Sequence, residues 1–353
     1  MKLTRKPIHT QSSVVINHSP NNRKSLDFLK DPSGLEKKLK NRAGLGGVHL
    51  DNKFDQKWIP LVERVLSGRF LDLAPAPSLD RIREWGDRFP HCKGLVEWIV
   101  DLSALSTWSG NGIFQSPPIL LAGPPGVGKS AVSLELARLL NVPSKIISMG
   151  STSDGFILTG SSLEYATGKH GAILETLLLG TANPVIVLDE LDKAGHSAST
   201  RGRHVSESIL GILEPSTSSA FVDEALDWPV DASKVIWIAT ANNKERIPDP
   251  VLSRFHVIEV QEPTREEMHE IIIPNLYREI VSEYGVENKV PQNIPEEVLS
   301  AIGRNPRSAR RQIVRIIARA ATNGSPILDP SWIEAEFPVA NRRAIGFQPG
   351  GYS

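Results

Sequence analysis

Apolar positions along this chain fall into two kinds of run. Short, almost wholly apolar stretches lie at 118–122, 145–149, 184–188, 234–239 and 256–260. Runs of that length between turn residues predict buried strands. Between them apolar residues recur at helical spacing, as Val132, Leu136 and Leu140 do within 131–140; 95–105 and 171–179 read the same way. Strands and helices alternating in this way predict an α/β fold, a parallel sheet flanked by helices. After Pro263 the strands stop. Segments 264–284, 295–302 and 306–322 each predict a helix, which makes a small all-helical domain.

The amino-terminal part is patterned differently. Residues 1 to about 53 are rich in Lys, Arg, Asn, Ser and Gly, and predict a loose, basic arm with a short helix around 34–42. Segment 54–73 carries Ile59, Val62, Val65, Leu66 and Phe70 at amphipathic spacing. The run Ala74-Pro75-Ala76-Pro77 ends it, because proline lacks the N–H donor and forces its predecessor out of helical conformation. The expected organisation is therefore an arm with a helix at 1–77, a large α/β domain at 78–262, a helical lid domain at 263–338 and a flexible tail at 339–353.

Composition narrows the classes. The 353 residues carry no formal net charge, so no overall basicity points to nucleic acid or to a membrane surface. The single cysteine excludes an internal disulfide framework and suits a reducing compartment. No apolar run approaches the roughly 18 residues needed to span a bilayer, and the start is no signal peptide. The expectation is a cytoplasmic protein without a membrane partner.

The segment Gly123-Pro124-Pro125-Gly126-Val127-Gly128-Lys129-Ser130 fits the P-loop pattern and sits between a predicted strand and a predicted helix. Glycines let successive N–H groups face one anion, and the helix N-terminus adds its dipole. Lys129 would reach the terminal phosphates of ATP, and Ser130 would hold Mg²⁺. The strand 184–188 runs into Asp189 and Glu190: Asp189 would bind Mg²⁺, and Glu190 would activate the attacking water. Asn242, at the end of the fourth predicted strand, either orients that water or caps the next turn. Arg254 and Arg307 could each bring a cation to phosphate. Arg307, Arg311, Arg315 and Arg319 recur every four residues on one predicted helix face, a stripe open to solvent or to nucleic acid.

With these residues in place the chain resembles the ATPase module of Lon-type proteases, within the AAA+ superfamily, from about Phe89 to Arg319. The resemblance rests on Leu188-Asp189-Glu190-Leu191-Asp192-Lys193, on Glu214-Pro215 with Ala220 to Asp231, on Ser233 to Asn242, and on Ile247-Pro248 through Arg254. It implies that Asn242 is sensor 1, that Arg307 is sensor 2, and that Arg254 is an arginine finger reaching a neighbouring subunit's nucleotide. A homo-oligomeric ring, typically a hexamer, follows. Tyr165 falls where the family carries the pore-loop aromatic that grips a protein substrate, with Gly160 and Gly171 matching its flanking glycines. Ala166 departs from the branched aliphatic residue that follows it in the family. The family's peptidase domain has no counterpart in these residues, so the expectation is an ATP-dependent protein remodeller without proteolysis of its own. An ATP-dependent switch or scaffold and a nucleic-acid-associated motor are the alternatives.

Overall fold

A computed structural model describes residues 24–44, 53–150, 156–194 and 205–333. The chain divides into two compact units, the first ending at Glu262 and the second beginning at Pro263. The loose beginning expected before residue 24 and the tail expected at 339–353 lie outside the described residues.

The first unit is built on five parallel strands: β1 (Ile119–Ala122), β2 (Ser144–Ser148), β3 (Val185–Asp189), β4 (Ile236–Ala241) and β5 (His256–Glu259). Their order across the sheet is β2-β3-β4-β1-β5. Every residue of β1 and β4 is buried, and β3 is buried as far as Asp189. Such continuous apolar runs arise because a parallel sheet is covered on both faces. Successive residues accordingly go to different cores. Leu120, Ile186, Leu188, Trp237 and Ala239 join one cluster, while Ile119, Leu121, Val185, Val187, Ile236 and Ile238 join the other.

The described part of the expected arm is not loose. Ser25–Asp27 pairs antiparallel with Phe70–Asp72. Helices α1 (Pro32–Gly44) and α2 (Lys53–Ser67) lie between them. Leu26, Phe28, Leu29, Leu35, Trp58, Val62 and Val65 are buried in the same core as Ile186 and Leu188. The partner surface is the short antiparallel pair Phe221–Asp223 and Trp228–Val230. Leu29 bridges Val230, Trp58 Nε1 donates to Leu226 O at 3.0 Å, and Trp228 Nε1 donates to Asp31 O at 3.1 Å. Leu26, Phe28 and Leu29 form too short a run among charges to predict burial. What buries them is a surface nearly two hundred positions further along the chain.

The break expected at Ala74–Pro77 also falls inside this unit. The buried amide of Asn183 accepts from Ala74 N at 2.8 Å and donates to Ala74 O and Phe114 O, each at 3.2 Å. Beyond it come α3 (Leu79–Gly86), α4 (Lys93–Trp108) and α5 (Lys129–Leu140), whose Ile82, Trp85, Leu95, Ile99, Val132 and Leu136 fill one face of the sheet. Ser78 stands at the N-cap of α3, and its side chain makes no capping bond. On the other face α6 (Ala172–Leu177) and α7 (Val205–Leu213) supply Ile173, Leu174, Leu177, Ile209 and Ile212.

The second unit is helical where it is described. Thr264 opens it with a capping box closed by Glu267, a π-helical stretch runs over Met268–Ile272, and α8 (Ile273–Glu283) follows. Then come α9 (Glu296–Ala301) and α10 (Pro306–Thr322), with Asn305 accepting from Arg307 N and Ser308 N at the start of α10. Ile273, Tyr277 and Ile280 pack with Ile313, Ile316 and Ala320. Arg310 pairs with Glu279 and Glu283. Arg307, Arg311 and Arg319 are exposed and Arg315 is half-buried. No helix among the described residues is long and apolar enough to cross a membrane.

Candidate nucleotide site

The loop 123–130 leaves β1 and enters α5, at the carboxyl end of the sheet, where ligands of open α/β folds bind. Gly126 and Gly128 hold positive φ of 87° and 99°, a region that costs an L residue its Cβ contacts. Gly123 is needed for another reason: a Cβ there would lie 2.0 Å from Val260 O. His91 stands beside the loop, its Nε2 2.9 Å from Val127 O.

Lys129 is buried, and three oxygens face its ammonium: Gly123 O at 2.8 Å, Pro124 O at 2.7 Å and Asn242 Oδ1 at 3.0 Å. Ser130 Oγ donates to Asp189 Oδ1 at 2.6 Å. The topology explains the meeting. β4 lies between β1 and β3, so the ends of three neighbouring strands deliver the lysine and serine, the carboxylate and the amide to one place. A hydroxyl and a carboxylate side by side are hard oxygen donors, the set Mg²⁺ takes when phosphate oxygens and waters complete its shell. The residues therefore fit Mg-nucleotide.

Glu190 follows in the left-handed region, with φ 57° and ψ 48°. Its backbone N–H donates to Thr240 Oγ1 at 3.0 Å, and its carboxylate accepts from Lys193 Nζ at 2.6 Å. Thr240, 2% exposed, in turn donates to Asp189 Oδ1 at 2.7 Å. Asp192, buried, accepts from Asn243 N at 3.2 Å, a second tie between the turn after β3 and the end of β4. Thr240 belongs to no local motif. The available signal was a hydroxyl in a strand otherwise made of Ile, Trp and Ala.

Two expected residues of the first unit lie outside this cluster, and a third belongs to the second unit. Arg254 Nη1 donates to Pro250 O at 2.7 Å and to Ser253 Oγ at 3.4 Å, and its Nε lies 3.7 Å from Glu214 Oε2. Arg307 belongs to the second unit, exposed at the start of α10. Tyr165 is 68% exposed on a loop closed by Ser161 N donating to Lys169 O at 2.9 Å. Glycines at 160, 168 and 171 permit that closure: a Cβ would meet Gly171 N at 2.8 Å, Ser162 O at 2.1 Å and Leu158 O at 2.2 Å respectively. Lys57 of α2 donates to Ala166 O at 2.8 Å, and Gly171 N donates to the buried Asp223 at 2.7 Å. Part of the insertion, 151–155, lies outside the described residues.

Residues 119–262 match the ATPase family associated with various cellular activities (AAA). The chain is 34% identical over 281 residues to the Lon protease of Desulfovibrio desulfuricans, covering 75% of this chain and 30% of that protein. It is 40% identical over 152 residues to Lon protease 2 of Sorangium cellulosum, covering 43% of this chain and 18% of that protein. The chain thus spans less than a third of the length of these relatives. A closed-state cryoEM reconstruction of Hsp104 with ATPyS and FITC casein is similar in fold, with a TM-score of 0.53 at 15% identity, covering 81% of this chain and 52% of that one. Residues 119–262 thus carry the match to the AAA ATPase family, and the chain is similar in sequence to Lon proteases.

Proposed function

We propose that the chain hydrolyses Mg-ATP at this site within a homo-oligomeric ring and uses the turnover to remodel protein substrates. The observation that carries the chemistry is the Ser130–Asp189 hydrogen bond of 2.6 Å beside the Lys129 ammonium. Bound Mg²⁺ would neutralise charge on the phosphates, with Ser130 and Asp189 as its protein ligands. Lys129 exchanges the carbonyls of Gly123 and Pro124 for phosphate oxygens. Asn242, released from Lys129, orients the attacking water. Glu190 takes that water's proton once its carboxylate leaves Lys193, whose ammonium otherwise occupies it. Arg254 lies on the surface of the first unit and serves the nucleotide of a neighbouring subunit; Arg307 serves the nucleotide of its own.

The remodelling part rests on Tyr165, an exposed aromatic on a loop whose backbone is pinned by three glycines. It is further supported by the sequence likeness to Lon proteases. The test is Glu190→Gln, which should bind ATP and scarcely hydrolyse it. Turnover at the parent rate would remove the assigned base. Tyr165→Ala should keep ATP turnover and lose protein unfolding, whereas unfolding at the parent rate would leave only the ATPase.

A further inference from the structure

Thr240 uses its hydroxyl in a way only one proton arrangement permits. The backbone N–H of Glu190 can only donate, and the ionised carboxylate of Asp189 can only accept. The hydroxyl between them must therefore accept from Glu190 N, at 3.0 Å, and donate to Asp189 Oδ1, at 2.7 Å. The side chain is buried, so no bulk water replaces either bond. One residue of β4 thus holds the backbone of the proposed base and the carboxylate of the proposed metal ligand together.

The need for such a tie is visible at Glu190. It is one of three non-glycine residues with positive φ among the described residues, a conformation that L residues rarely adopt unless surroundings hold them there. Lys193 N holds Glu190 O at 2.9 Å on the carbonyl side, and Thr240 holds the amide side; with the amide released, a change of φ swings the carboxylate. Asp189 is held from the same side: its Oδ1 receives both Ser130 and Thr240, so the β4 hydroxyl is one of the two donors that fix the carboxylate.

We propose that Thr240 is a positioning residue for ATP hydrolysis, fixing the direction of the Glu190 carboxylate through its backbone amide while steadying Asp189. The inference rests on the reading of Glu190 as base. Thr240→Val keeps the shape and the β-branch and removes the relay; Thr240→Ser keeps the relay. In the full chain, Thr240→Val should lower kcat at least about tenfold, the scale set by leaving one buried donor unsatisfied, with KM for ATP changed by no more than about threefold. Thr240→Ser should restore most of the loss. In single-turnover hydrolysis, Thr240→Val placed on Glu190→Gln should add little, because both act on one group.

A folded Thr240→Val chain with parent kcat overturns the inference, as does a loss that Ser fails to restore or that multiplies with Glu190→Gln. Should the valine variant not fold, Thr240→Ala carries the same comparison. A silent Thr240→Val beside an inactive Glu190→Gln overturns this inference alone. A fully active Glu190→Gln removes the base reading and this inference with it.

Discussion

Lys129 Nζ donates to Asn242 Oδ1 at 3.0 Å, so the lysine of the phosphate loop and the amide at the end of β4 hold each other. The pairing satisfies a buried ammonium and aims the amide at the point where the lysine must work. Asn242→Ala should therefore act on rate more than on binding. We expect kcat to fall on the order of 10²-fold, the scale of losing one oriented polar group, with nucleotide affinity within a few-fold of the parent. Steady-state turnover beside equilibrium titration with a fluorescent ATP analogue decides it.

Two loop glycines should fail differently. Gly123→Ala places a methyl 2.0 Å from the Val260 backbone carbonyl, which cannot give way without moving the strand end. Gly128→Ala meets nothing nearer than 4.0 Å, and its penalty is a φ of 99°, about 1–2 kcal/mol. Thermal unfolding should show the larger drop for Gly123→Ala. Gly128→Ala should stay folded and lose nucleotide affinity.

Arg254 carries its own test of assembly. It is anchored to Pro250 O and Ser253 Oγ, so Arg254→Ala should fold normally. If the guanidinium serves a neighbour, turnover falls on the order of 10³-fold and raising ATP does not restore it. Mixing Arg254→Ala with Lys129→Ala chains should recover activity, because a ring containing both has sites with an intact loop facing an intact arginine. Two inactive proteins that stay inactive when mixed would refute the arrangement.

Asp223 should leave a signature in pH. Burial pushes its carboxyl up from the ordinary 3.8, against the N–H groups of Gly171, Leu226 and Ala225 and the charge of His170, which pull it down. A carboxyl with a raised folded-state value binds more protons folded than unfolded, so its contribution favours folding at low pH. That contribution is lost as pH climbs from 3.8 through the folded value. Relative to Asp223→Asn, the parent should lose stability across that window and hold level above it. Denaturant midpoints of the two proteins, compared pH by pH, measure this directly.

Trp58 tests whether the amino-terminal segment belongs to the core. It is fully buried and bonds Leu226 O. Trp58→Ala should cost about 3–5 kcal/mol of the first unit's stability, as large-to-small core changes do. A removable arm would lose nothing.

Much of the nucleotide site was legible in local spacing. The loop glycines, Lys129 and Ser130 are contiguous because curling a backbone around an anion is a short-range geometric problem. Asp189 and Glu190 follow an apolar run because a buried strand must end before a charge can be solvated. Thr240 was not legible, since its partners sit on another strand and a threonine in a strand is otherwise unremarkable. The burial of Leu26, Phe28 and Leu29 was likewise not legible: some apolar periodicity shows from Leu26 to Leu39, but nothing local names the surface that covers it.

The chain's own order of residues thus determined the parallel α/β plan, the helical second unit and the phosphate loop, all of which follow from interactions within a few residues or from a repeating period. Tertiary structure decided that β4 lies between β1 and β3, that one hydroxyl ties Asp189 to Glu190, and that residues 24–44 and 53–77 close the core instead of trailing from it. Those outcomes depend on which surfaces meet after the chain has turned back on itself, and burial is a property of the pair that meets, not of either segment alone.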